Sequence, residues 1–140
     1  MSLHIRVSFP LINMSTREVD LDGHDSSQLQ MMDEMCLLVD SEDRVIGSET
    51  KLDCHRNDGS RHRAFSVLIF DSEGRLLVQK RASEKITFPG VWANSCCSHP
   101  LDLESEKNGP EGAITAAKRK LWQELGLSLI HISEPTRHAS

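Results

Sequence analysis

Residues 64–70, AFSVLIF, limit the fold more than any other part of this sequence. In an extended chain Phe65, Val67 and Ile69 share one face, and Ser66, Leu68 and Phe70 share the other. Both faces are largely apolar, so the strand belongs inside a sheet covered on both sides. DSEG at 71–74 is a turn, and RLLVQKR at 75–81 reads as a second strand, which predicts a hairpin over 64–81.

The neighbouring segments supply the rest of such a sheet and its cover. DSSQLQMMD at 25–33 reads as a short helix, leading into the strand-length run EMCLLVD; SEDR at 41–44 then turns the chain into VIG. Pro89-Gly90 and His99-Pro100 bracket a segment that cannot be one long regular element, because each proline removes a donor and restricts the residue before it. After a polar loop ending near Pro110, Ile114, Ala117, Leu121 and Leu125 recur at spacings of three and four. They predict an amphipathic helix about 22 Å long, with Gly126 as its C-cap. The order of elements predicts an α/β fold, a mixed sheet with flanking helices. At 140 residues the chain has room for one modest core.

Sixteen basic and 21 acidic residues are interspersed, for a net charge of −5, which leaves no footprint for nucleic acid and no polybasic patch for a membrane. No apolar run approaches the roughly 20 residues that cross a bilayer. Cys36, Cys54, Cys96 and Cys97 follow no secretory segment and read as reduced thiols in a cytoplasmic setting. Residues 1–17 carry Arg6, Arg17 and several hydroxyls without an acid, a composition weakly like an organelle transit peptide.

Three groups of residues carry candidate chemistry. His55, His62 and His99 lie at the ends of predicted strands, with Cys54 and Cys97 nearby. Imidazoles suit zinc, manganese or iron, yet the spacing follows no zinc-finger pattern and equally allows three unrelated surface histidines. Cys97 reads as a thiol able to donate a proton, or as an inert buried cysteine. Lys51, Arg81 and Lys85, all near turns, read as a cluster for a phosphate or diphosphate, or as ordinary solvated cations.

The helix at 111–127 resembles a degraded Nudix box, which holds magnesium against a diphosphate. Glu111, Arg119, Glu124 and Gly126 match, whereas Ser105, Lys120 and Gln123 replace the leading glycine and two glutamates. Losing two carboxylates argues against the hydrolytic metal cluster of that box.

Together, ETKLDCH, HRAFSVLIF, LLVQKRASEKITFPGVW, NSCCSHP and AAKRKLWQELG resemble the type I isopentenyl-diphosphate delta-isomerases of the Nudix superfamily over residues 30–127. The resemblance implies a Nudix-like sandwich, here incomplete, and conversion of isopentenyl diphosphate to dimethylallyl diphosphate by proton addition and removal. It implies Cys97 as the catalytic cysteine and Lys51, Arg81, Lys85 and Ser98 as substrate contacts. For the metal it implies His55, His62 and His99, with Glu124 helping to hold magnesium on the diphosphate; manganese or zinc also suits the histidine site. The family's second proton-transfer group is a glutamate from a paired-glutamate motif beyond residue 127, so this chain is expected to be inactive or nearly so. A Nudix-type diphosphate hydrolase and a non-catalytic metal-binding module using Cys54 with the three histidines are the alternatives.

LSLIHISEPTR, from 127 to 137, resembles a translated sequencing adapter. Residues 127–140 are therefore expected to be a non-native tail, residues 25–126 a partial domain, and residues 1–24 a flexible N-terminal extension.

Overall fold

The computed structural model describes residues 2–7, 23, 26–56, 58–86, 88–128 and 136–137, the first and last ranges by their backbone alone. Most of the expected extension and of the targeting-like segment lies outside the described residues, as does most of the adapter-like tail.

The expected central strand is β4, Phe65–Phe70, with β1, Ser2–Val7, on one edge and β7, Cys96–Ser98, on the other, both antiparallel to it. Thr136–Arg137 (β8) adds to β1 in parallel, so the sheet is mixed, in the order β7-β4-β1-β8. Ser2–Val7 falls in the stretch expected to be a flexible extension. An interior strand needs partners for the backbone groups of both edges, and this segment fills the second edge of β4.

The remaining elements are α1 (Ser26–Met32), β2 (Met35–Val39), β3 (Val45–Thr50), the one-turn helix α2 (Lys51–Cys54), β5 (Gln79–Lys80), β6 (Trp92–Ala93) and the long helix α3 (Gly109–Leu125). β2 and β3 form an antiparallel hairpin across the turn read at 41–44. Its turn and the one after β4 use the same device. Asp40 Oδ1 accepts the amides of Glu42 and Arg44, and Asp71 Oδ1 accepts those of Glu73 and Arg75. Each turn then passes through a positive φ, at Asp43 and at Gly74.

The hairpin expected over 64–81 closes only at its turn. After the bridge between Phe70 and Leu76, Ser95 Oγ accepts the Ile69 amide at 2.9 Å and donates to the Leu77 carbonyl at 2.6 Å. The hydroxyl thus bridges one side of the Ile69–Leu77 pair, while on the other the Leu77 amide donates directly to the Ile69 carbonyl at 2.8 Å; beyond it the second strand continues as Gln79–Lys80, paired with Trp92–Ala93.

The main core forms where α3 lies on the sheet. Ala116, Ala117 and Leu121 pack against Phe65, Val67, Ile69 and Cys96, with Ile114, Leu125 and Leu127 at the margin. The buried stripe is therefore rotated from the expected one, since Ile114 and Leu125 are only partly covered while Ala113, Ala116 and Lys120 are buried. Small side chains let the helix approach closely. At Gly112 any Cβ would run into the Glu106 carbonyl. Gly126 ends the helix with φ 64°, its amide bonded to the Trp122 carbonyl and that of Leu127 to the Leu121 carbonyl. Leu127 thus belongs to the helix cap.

Candidate functional site

Local geometry begins at Thr50, whose hydroxyl accepts the Asp53 amide at 3.1 Å and caps α2. That single turn sets Lys51 at its start and His55 at its end. The Lys51 amide is tied to the Glu34 carbonyl at 2.7 Å, and the Lys51 carbonyl accepts from His55 Nδ1 at 2.6 Å. Opposite, β7 separates its two cysteines by the alternation of a strand. Cys96 pairs with Val67 and is fully buried, whereas Cys97 pairs with Ser66 and is exposed. Cys97 Sγ lies 3.4 Å from Ser66 Oγ and accepts from Asn94 Nδ2 at 3.6 Å.

His99 follows directly after β7 and meets His55 and His62. The ring centroids are 5.0 Å apart for His55 and His62, 5.4 Å for His55 and His99, and 4.8 Å for His62 and His99. One nitrogen from each ring falls in a group within 4.8 Å, and His55 Nδ1 and His62 Nδ1 are held by backbone carbonyls, which leaves Nε2 of both as the ligand atom. Desolvation holds His99 well below the usual histidine value, helped by the neighbouring His62 and Lys51, and it also lowers His55. Neutral rings are the form that binds metal, so the donor set fits a divalent ion. Among the described residues these three form the only group of three or more metal-capable side chains. Cys54 is apart from it: its thiol faces Cys36 and the Glu49 carbonyl, at 3.9 Å from the latter.

A cavity of about 350 Å³ adjoins this cluster and collects nearly every candidate. Lys51, Arg81 and Lys85 line it together with Cys97, Ser98, His55, His99 and Glu124. Met31, Met32, Phe65, Ile86 and Phe88 give it an apolar wall. His62 is absent from the lining and reaches the cluster from outside.

Lys120 is the residue the sequence reading missed. It appears there as a replaced glutamate of the box, yet its side chain is buried against the cavity with Nζ 3.6 Å from Glu124 Oε1. Burial lowers the Lys51 ammonium, and the charge of Lys120 lowers it further, so the two cations share one field. This i,i+4 pair is therefore built into the cavity rather than displayed on the surface. Glu124 Oε2 also accepts from Cys96 Sγ at 3.6 Å, and burial with this carboxylate pushes the Cys96 thiol up to about 12. Arg119 turns away from the cavity and grips Glu106 with two hydrogen bonds, of 2.7 and 3.1 Å, while reaching the His99 carbonyl at 3.4 Å.

The NUDIX domain model matches residues 60–139, more than half of the sequence. The chain belongs to the Nudix family. The helix that resembles the Nudix box is α3, with Glu111 in its first turn and Lys120 and Glu124 on the cavity. Curated relatives narrow the comparison. The chain is 51% identical over 118 residues to isopentenyl-diphosphate Delta-isomerase 1 of Bos taurus, an alignment covering 80% of this chain and 52% of the bovine one. It is 51% identical to isopentenyl-diphosphate delta-isomerase idi1 of Aspergillus fumigatus, over 77% of this chain and 42% of that one. With the isopentenyl-diphosphate delta-isomerase of Schizosaccharomyces pombe the identity is 46%, over 85% and 56% respectively. The chain thus spans about half the length of the curated relatives it matches. No helix among the described residues is long and apolar enough to cross a membrane.

Proposed function

We propose that this Nudix chain is the diphosphate-binding and proton-donating part of an isopentenyl-diphosphate delta-isomerase. The observation that carries the reading is a single cavity that sets Cys97 among Lys51, Arg81 and Lys85, with the three-histidine cluster alongside. Moving a double bond through protonation creates positive charge on carbon, which needs a proton donor, a bound anion and little water. Arg81 and Lys85 hold the diphosphate, Arg81 being suited to grip two oxygens at once. Lys51 and Lys120 add charge from the cavity floor, and Ser98 contacts the substrate. Met31, Met32, Ile86 and Phe88 cover the five-carbon tail.

Cys97 is the proton donor, aligned by Ser66 and Asn94 at its sulfur. His55, His62 and His99 hold a divalent ion, with zinc and manganese suited to imidazole ligands, and Glu124 helps to place magnesium on the diphosphate. An ion in the histidine site supplies fixed positive charge at the edge of the cavity. Replacement of two box glutamates by Lys120 and Gln123 makes hydrolysis the weaker reading.

Ligand protection tests the assignment. Isopentenyl diphosphate with magnesium is expected to shield Cys97 from iodoacetamide, and inorganic phosphate is not. The double variant Arg81→Ala/Lys85→Ala is expected to lose the shielding. Equal labelling with and without isopentenyl diphosphate would overturn the proposal, and release of phosphate during incubation would favour a hydrolase.

A further inference from the structure

The loop between β5 and β6 carries both Arg81 and Lys85, and its two ends are held differently. At its base the Arg81 amide bonds the Val91 carbonyl at 2.8 Å, and Arg81 Nε donates to the Phe88 carbonyl at 3.1 Å. Farther out, within the loop, the Lys85 amide reaches back to the Ala82 carbonyl at 3.2 Å. Beyond these local bonds, Gln28 of α1 also holds the outer part. Gln28 Nε2 donates to the Glu84 carbonyl at 2.9 Å, and Gln28 Oε1 accepts the Ile86 amide at 3.2 Å. The amide thus grips the two residues that flank Lys85, from more than fifty positions away in the sequence. Gln28 sits one helical turn before Met31 and Met32, so the face of α1 that walls the cavity also fastens this loop.

We infer that Gln28 is a positioning residue, which fixes Lys85 toward the anion site by clamping the backbone on either side of it. The inference rests on the reading of Arg81 and Lys85 as the diphosphate cations. A lysine on a free loop would bind only in the fraction of time spent in the competent arrangement, and apparent affinity falls by that fraction. The clamp consists of two hydrogen bonds of ordinary length, so its loss is expected to weaken anion binding by about tenfold.

Gln28→Met tests this, because methionine keeps the length and helix preference of glutamine and removes both hydrogen bonds. The probe is inorganic pyrophosphate with magnesium, titrated calorimetrically into the 140-residue chain, with trypsin cleavage after Arg81 and Lys85 as a second readout. The variant is expected to bind pyrophosphate about tenfold more weakly. It is also expected to be cut faster at those two bonds while cutting elsewhere and cobalt binding at the histidines stay unchanged. Wild-type affinity together with a wild-type cleavage rate would overturn the clamp. A general rise in cleavage across the chain would also overturn it, by making Gln28 merely structural. Pyrophosphate binding that persists in Lys85→Ala would instead overturn the reading on which the clamp rests.

Discussion

Two adjacent cysteines with opposite surroundings show how much one residue of strand register decides. Cys96 is buried beside the Glu124 carboxylate, which with desolvation raises its thiol to about 12, while Cys97 faces the cavity. A thiol reacts as its thiolate, so a buried cysteine with a raised value stays inert at mildly alkaline pH. At pH 8.5, without ligand, iodoacetamide is expected to modify Cys97 alone: Cys54 and Cys96 are buried with raised values, and Cys36, lowered by its hydrogen bond with Cys54, is protected by its complete burial, so all three react only after denaturation. Peptide mass mapping checks this, and labelled Cys96 in the folded chain would contradict the assigned register. The histidines make a separate prediction. His62 lies off the cavity lining yet within the three-ring cluster. His62→Ala should weaken cobalt binding by about a hundredfold or more, the scale reached by losing outer-shell support alone. Pyrophosphate binding measured without added cobalt should hardly change. Parallel loss of both would mean that the cluster and the cavity are one site.

At the scale of elements, much of the architecture is legible in local pattern and some is not. Helix α3, its Gly126 cap, the β2–β3 hairpin and the central position of β4 all follow from periodicity and turn residues. Continuation of the second hairpin strand is not legible, because the hydroxyl of Ser95 that bridges Ile69 and Leu77 arrives from eighteen residues beyond Leu77. Lys120 is equally hidden: its spacing from Glu124 reads as a surface pair, and only the packing of α3 on β7 buries it. Gln28 has no sequence signal at all, since its partners are backbone groups. Two substitutions test the packing. Ser95→Ala leaves the Ile69 amide and Leu77 carbonyl without this partner and should destabilise the chain by about 1–3 kcal/mol. Gly112→Ala forces a methyl group onto the Glu106 carbonyl and should destabilise by about 1–3 kcal/mol or more. It should also loosen the Arg119–Glu106 grip beside His99. Urea denaturation checks both, and a midpoint unchanged for Gly112→Ala would show that α3 does not approach the loop so closely.

Over the whole molecule, polar groups are well satisfied, while apolar ones are less so. Among the described residues no buried side-chain nitrogen or oxygen lacks a hydrogen bond, and the buried Arg63 is secured by the Asp43 side chain and by the Asp43 and Lys107 carbonyls. By contrast Leu76, Leu77, Val78, Val91 and Trp92 are exposed, concentrated on and beside the β5–β6 ribbon. Trp92 pairs with Lys80, so the alternation of the strands brings Val78 to the same side of the ribbon as Trp92. A two-stranded ribbon has unpaired backbone edges as well, and apolar edges of that kind associate with one another. Scattered charge elsewhere, with a net of −5, offers only modest repulsion against this. The 140-residue chain is therefore expected to self-associate in a concentration-dependent way through the ribbon. Val78→Lys with Trp92→Lys should raise the concentration at which light scattering appears, with stability changed by no more than about 0.5 kcal/mol for each exposed site. If the double variant aggregates at the same concentration as the parent, association proceeds through another surface, such as the exposed Val45 and Ile46 on β3.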